Sequence, residues 1–290
     1  MPIAALGHVG IRKEESFASG GAVDSWQPVD SEDIQLNQAN IYGDRIQATE
    51  EQVGGVASQK SVTGSLTFGV SPNNPSEWWE CGLGQSSSPY SGARPLSSML
   101  IQVDRETGAV QSSGDMIASM ALSSTQGEEL KCTVNIEGQD MASVGAGSPS
   151  WVSGDAPFVH SEASFLLNGV ADADVQAFTV NIDNNLATDL FGSNKTRENI
   201  AATKLVVTGS YTKLFETTTE RDAFLAAQVR SFQVTFNRGA KSFDINVAKL
   251  RYDSKPTPLS GQTDYIVETF NWTAYVDDAS AENSVVVTVA

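Results

Sequence analysis

Side chains able to do chemistry are sparse and scattered along this 290-residue chain. There are two histidines, His8 and His160. Neither sits in an HExxH-type spacing, which would set two imidazoles on one helical face around a metal. Cys81 and Cys132 lie too far apart for a local zinc motif and are too few for a disulfide framework, although a single bridge between them stays open. Asp172, Asp174, Asp183, Asp277 and Asp278 fall near expected turns. Such oxygens suit calcium, but ordinary Asx turns use the same residues and no EF-hand loop is present. GAGSPS at 145–150 begins like a dinucleotide loop, yet lacks the third glycine and the strand–helix setting. No GxSxG elbow and no GxxxxGK phosphate loop occurs. Paired carboxylates for glycoside hydrolysis are defined by spatial separation, and nothing marks one pair. No catalytic, cofactor-binding or metal-binding residue is therefore assigned, and no enzymatic activity is expected.

Charge narrows the partners. Lys and Arg number 18 against 35 Asp and Glu, a formal net charge of −17. The excess is spread along the chain, and no cluster of cations exists to grip phosphates. Such a surface is either simply well solvated or built to meet nucleic acid without holding it. No apolar run approaches a membrane span, and no basic-then-apolar N-terminal signal is present, so synthesis inside a cell and free thiols are expected. The sequons at Asn194–Thr196 and Asn271–Thr273 are then chance matches.

The elements that carry these residues read mainly as strands. Residues 1–34, with Gly20 and Gly21, look like a long irregular arm that includes His8. From Ser61 to Val70 the chain alternates: Val62, Leu66, Phe68 and Val70 share one face, Thr63, Ser65 and Thr67 the other. NNPSEWWECGLG follows, where Asn74 is an expected helix cap, Pro75 its first position and Gly82 or Gly84 its end. Trp78 and Trp79 then read as packing groups. Residues 115–123 and 130–137 form the next strand pair, with Cys132 on the apolar face. The Gly/Ser/Pro-rich stretch 142–157 is the expected linker or exposed loop. Strands are expected near 160–168, 176–183, 204–215, 231–237, 242–250, 267–276 and 284–289. A helix is expected at 217–228, capped through Thr217 and Glu220, with Phe224 and Leu225 as its apolar stripe.

One pattern organises the chain. VTGSLTF at 62–68 and VTGSYTKLF at 207–215 lie 145 positions apart, half the chain length. In each half the VTGS strand leads into a short helix and then further strands, and Trp79 and Phe224 share the same spacing. The expected organisation is an N-terminal arm over 1–34, a first β unit over 35–145 and a second over 146–290, related by internal duplication. The fold class is mainly β: two similar sandwich- or barrel-like units, each with a short flanking helix. Such units have edges that must be covered or paired, and twin edges let copies close a ring.

With VTGSLTFGVSPNNPSEWWECGLG, FTVNIDNNLATDLFG, VTGSYTKLFETTTERDAFLAA and SFDINVAKLRYDS in this order, the chain resembles the tail tube (major tail) proteins of long, flexible-tailed bacteriophages. The resemblance spans most of residues 35–276. It implies rings stacked into a hollow tube in the virion, either trimers of two-unit chains with pseudo-sixfold symmetry, favoured by this length, or hexamers. It implies arms or loops bridging rings, here residues 1–34 or 142–157. It also implies a tape measure protein and a tail terminator as partners, and double-stranded DNA that passes along a negatively lined lumen without specific binding. No site residues come with it. The alternatives are another phage ring component, such as a tail completion or hub protein, a carbohydrate-binding β module that exposes Trp78 and Trp79, and a hydrolase with a spatially assembled acidic site.

Overall fold

The computed structural model describes residues 7–43, 53–106, 108–152, 155–215, 217–254, 266–277 and 283–290. The first half holds β1 (His8–Lys13), β2 (Ser25–Gln27), β3 (Ser31–Glu32), β4 (Gln35–Gly43), β5 (Val53–Gly69), α1 (Glu77–Leu83), β6 (Tyr90–Ser91), β7 (Met99–Asp104), β8 (Ala109–Thr125), β9 (Lys131–Gly138) and β10 (Asp140–Val144). After a single turn of 3-10 helix at His160–Glu162 come β11 (Ala163–Leu167), β12 (Val170–Asp172), β13 (Val175–Asp183), β14 (Leu186–Ala187), β15 (Ala201–Ala202), β16 (Val206–Leu214), α2 (Thr219–Leu225), β17 (Arg230–Arg238), β18 (Lys241–Ser254), β19 (Val267–Ala274) and β20 (Val286–Val289). The class is mainly β with two short helices, as expected; no closed barrel is formed among the described residues.

Period-two burial explains most strands. In β9, Cys132, Val134 and Ile136 are buried while Lys131, Thr133, Asn135 and Glu137 face outward. β16 and β17 repeat this with Val207, Gly209 and Tyr211, and with Phe232, Val234 and Phe236. β7 breaks the rule, because all six of its residues are buried. Helix α1 starts at Glu77 with Ser76 as its cap, not Asn74. Asn74 instead accepts the Ser71 N–H and donates to Gln27 Oε1 at 2.7 Å, which holds the turn before the helix. Gly84 closes α1 in the left-handed conformation, at φ 89°. α2 is capped at Thr218 rather than Thr217, and buries Ala223; of the expected apolar stripe Phe224 is half-buried while Leu225 is 72% exposed.

The strand pairings of residues 8–144 recur in 163–289. β5 pairs with β4 and β9, β9 with β8, and β8 with β7 and β10; likewise β16 pairs with β13 and β19, β19 with β18, and β18 with β17 and β20. β1 on β7 corresponds to β11 on β17. Bulges fall at matching places: Ile117/Ser119 against β9 matches Tyr252/Ser254 against β19, and Met99/Ile101 against β8 matches Arg230/Phe232 against β18. Side chains follow. Thr67 Oγ1 lies 3.0 Å from Thr133 Oγ1, and Thr212 Oγ1 lies 3.0 Å from Thr269 Oγ1. Asn135 donates to Ser119 Oγ and Asn271 to Ser254 Oγ, both at 2.8 Å. Trp79 and Phe224 do not correspond, being the third residue of α1 and the sixth of α2.

The halves are joined, not strung. β8 pairs with β13, so β4, β5, β9, β8, β13, β16, β19 and β18 form one continuous sheet. One hydrophobic core underlies it, from Val9 to Val287, and Trp79 of the first half meets Phe243 of the second at 5.1 Å between ring centroids. The stretch expected to be an irregular arm supplies β1, β2 and β3, which pair with β7, with each other and with β5; residues 1–6 lie outside the described residues. In the 142–157 stretch, Pro157 packs on Gly69, and Asp155 accepts hydrogen bonds from Ser71 and Asn73.

The glycine of each VTGS strand faces the core, where a neighbouring backbone comes too close for a side chain. A Cβ on Gly64 would lie 2.5 Å from Ile34 Cα and 3.0 Å from Asp33 O. A Cβ on Gly209 would run into Thr179 O and the Trp272 ring. We predict that Gly64→Ala and Gly209→Ala each destabilise the fold by about 1–3 kcal/mol through overpacking, whereas Gly108→Ala, which meets nothing within 4 Å, leaves it nearly unchanged. Denaturant unfolding of the three variants checks this; equal midpoints would refute the close approach.

Candidate assembly surface

The residues with chemical potential are not brought together. His8 lies in β1, edge-on to Trp26, with Nε2 3.4 Å from Asp104 Oδ2. His160, 3-10 helical rather than in a strand, is buried between Ser124 Oγ at 3.2 Å and the Val175 carbonyl at 3.0 Å. Ser124 is itself buried and does not reach the cleft that His160 lines with Asp172 and Asp174. Cys81 and Cys132 are unbridged and buried, and burial pushes the Cys81 thiol up to about 12. Trp78 stacks on Phe68 and donates to Gln27 Oε1, so it packs, as expected, as does Trp79. Asp172 pairs with Lys213, Asp183 accepts the Asn185 N–H in an Asx turn, and Asp277 pairs with Lys249 at 2.8 Å; Asp278 lies outside the described residues. Among the described residues no three His, Cys, Asp or Glu gather in a way that could hold a metal. In GAGSPS, Gly145 accepts from Gln102, and Gly147 packs against Trp26.

The arrangement with structural consequence is the seam between the halves. β13 lies antiparallel to β8 with Asp183 opposite Ser119 and Ala177 opposite Thr125. At its end Asn184, fully buried, donates to the Gly82 and Ile117 carbonyls and accepts from Arg94. The connection from β13 to β16 then folds back over the first half. Arg197 donates to the Gly138 carbonyl at 3.0 Å and pairs with Glu137 at 2.8 Å, and Ile200 joins Leu96 and Met116 in a small apolar cluster. Asn184 and Arg197 carry no periodic signal, and only the unusual run IDNNLATDLFG hints at them.

Among the described residues no strand pairs with the far side of β4, or with residues 251–254 of β18 on the side away from β19. Since Asp33 N–H bonds to Ser65 O, alternation turns the backbone groups of Ile34, Leu36 and Gln38 outward. Arg105 caps part of this margin, donating to the Ile34 carbonyl and, bidentately at 2.8 Å, to Glu32. Beyond it the β4–β5 hairpin exposes Ile41, Tyr42 and Val56, and near α2 Leu225 and Val229 are exposed.

The sheet's outer face is a carpet of hydroxyls and amides, including Thr63, Ser65, Thr133, Asn135, Thr179, Asn181, Thr208, Ser210 and Thr273. Its charges are few. Lys131 is held by Asp30 and Glu129, Arg251 lies over Tyr275, and Glu137, Asp183 and Asp253 supply the acids. Four carboxylates, Glu14, Asp104, Asp115 and Glu268, are buried instead. Asp115 is fully buried, accepts from the Ser112 hydroxyl, and has no hydrogen-bond partner for Oδ1. Burial, and next the charge of Glu14, raise its pKa to about 8, against the opposing hydrogen bonds from Ser112 and the Ile101 backbone.

A family model described as phage tail tube protein matches residues 4–274. Among curated proteins, none matches the chain.

A buried acid with a raised folded pKa stabilises the fold while it stays protonated, and that contribution is lost as pH rises from its unfolded value near 4 toward about 8. Stability is therefore expected to fall by about 1.4 kcal/mol per pH unit across that window from this group, and Asp115→Asn should flatten the dependence. Urea unfolding at pH 5 and pH 8 checks it; a variant with the parent's slope would overturn the assignment.

Proposed function

Because the chain belongs to the phage tail tube protein family, we propose that its structural role in the tail is exercised by closing rings that stack into a hollow tube. The observation that carries this reading is the repeat of the pairing scheme with margins at both ends of one sheet that no strand among the described residues pairs. Each chain offers two four-strand units side by side, β4-β5-β9-β8 and β13-β16-β19-β18, already joined as neighbours in a ring would be. Three chains then give a ring of pseudo-sixfold symmetry. The protein acts within the virion, and the family is structural rather than catalytic.

The core side of the sheet is occupied by packed side chains, so the hydroxyl- and amide-rich face is the one suited to line the axis. With few cations, and those engaged by acids or aromatic rings, it gives a DNA backbone no counter-charge to bind, which favours free passage of the duplex. The acidic excess of the whole chain acts in the same sense. Contacts between stacked rings fall to the 142–157 stretch, where Trp151 and Val152 are exposed, more readily than to residues 8–32, whose strands are engaged in their own half. A tape-measure protein within the lumen and a terminator at the tube's end complete the assembly.

Electron microscopy of the purified full chain is expected to show rings or tubes with an open axial channel and three-fold symmetry. Monomers persisting at high concentration would count against the reading. Duplex DNA is expected not to bind even at low salt, and tight low-salt binding would contradict a non-adhesive wall.

A further inference from the structure

The seam inside one chain is a template for the seam between chains. Asp183 and Asn37 hold the same place in the repeat. Asp183 pairs with Val206 and Asn37 with Ser61, and each partner directly precedes the valine of a VTGS strand. Ser119 and Ser254 are likewise matched, since each follows the bulge, stands opposite an asparagine of the next strand and accepts that asparagine's side-chain N–H at 2.8 Å. Within the chain, Asp183 and Ser119 face each other across β13 and β8, and the Asn184 N–H donates to the Ala118 carbonyl at 2.9 Å. The matched pair, Asn37 and Ser254, sits on the two margins of the sheet.

Resting on the ring reading above, we infer that the β4 margin of each copy pairs antiparallel with the end of β18 in the next copy, in the register that sets Asn37 opposite Ser254. The Gln38 N–H then donates to the Asp253 carbonyl of that copy. The occupant of the β4 margin is thus a second copy of this chain. Surfaces on either side agree. The connection after Asn184 covers the end of α1, whose Trp78, Trp79, Cys81 and Leu83 are all buried. The matched connection after Asn37 is the β4–β5 hairpin, with exposed Ile41, Tyr42 and Val56, and the matched helix end near α2 is exposed at Leu225 and Val229. Docking of one on the other removes both apolar patches from water.

The test is a full-length Asn37→Cys/Ser254→Cys variant, oxidised after ring formation. A disulfide fits here because the seam's counterpart, Asp183 with Ser119, lies between the hydrogen-bonded pairs, where side chains approach most closely. Expected are covalent oligomers ending at the ring's copy number on a non-reducing gel, with neither single variant nor Asn37→Cys/Thr273→Cys doing the same. Rings seen by microscopy without cross-links would overturn the register and leave the ring reading standing. Absence of rings in the unmodified protein would overturn the ring reading and this inference with it. Should the double variant not assemble, amide exchange of the unmodified protein decides. The Gln38 amide should slow by about tenfold or more on ring formation, and unchanged exchange within rings would overturn the pairing.

Discussion

A strand cannot leave its peptide groups bare without cost, and this requirement governs the whole molecule. Each buried N–H or carbonyl left unpaired costs about 1–3 kcal/mol, so a unit ending on an open strand is incomplete. Here the first half is completed on one side by the second, through β8 and β13. The shared core follows from that junction. Once the strands run on continuously, the side chains beneath them have no boundary at which to divide, and Trp79 packs on Phe243 as freely as on its own half. Asn184 and Arg197 belong to the same economy, because they satisfy the Gly82, Ile117 and Gly138 carbonyls where the strand ladder stops.

Much of this was legible in the residues. Strands with one wet and one dry face alternate in polarity, and β5, β9, β13, β17 and β19 were readable for that reason. β7 was not, since Met99–Asp104 is covered on both sides and shows no alternation. β1 and β4 were hidden differently. β1 carries His8, Arg12 and Lys13 around a short buried core of Val9, Gly10 and Ile11, and β4 is an edge strand rich in Gln and Asn. Helix boundaries shifted because Asn74 was recruited to a turn rather than a cap. The two VTGS segments both lie in strands, β5 and β16, and share a feature that the letters do not disclose. The glycine of each is where the neighbouring backbone passes, which only coordinates reveal. The Trp79–Phe224 coincidence, at the same spacing, marks no equivalent position. The margins of the sheet were invisible in the residues, because backbone groups leave no residue-type signature.

The distribution of charge separates two duties. Several cations are matched to nearby carboxylates in half-buried pairs such as Arg238 with Glu162 and Lys13 with Glu80, while the sheet's outer face relies on hydroxyl and amide groups. Partly exposed pairs of this kind contribute little to stability. Their larger effect is to keep cationic groups from acting as a phosphate-binding surface. The hydroxyl ladders, Thr67 with Thr133 and Thr212 with Thr269, bind their strands to one another and turn few donors outward unspent.

β8 and β18 are unusually long, and each changes partners midway: residues 109–115 of β8 lie with β7 and β10 before residues 116–125 join β9 and β13, and β18 passes from β17 and β20 to β19. Each is therefore a covalent tie running from one set of strands into another. Under load, shear between those sets pulls along the main chain itself rather than on side-chain contacts alone. Such a girder resists sliding far better than packed surfaces would, and it lets the sheet deform as an elastic whole without its two sets of strands slipping apart.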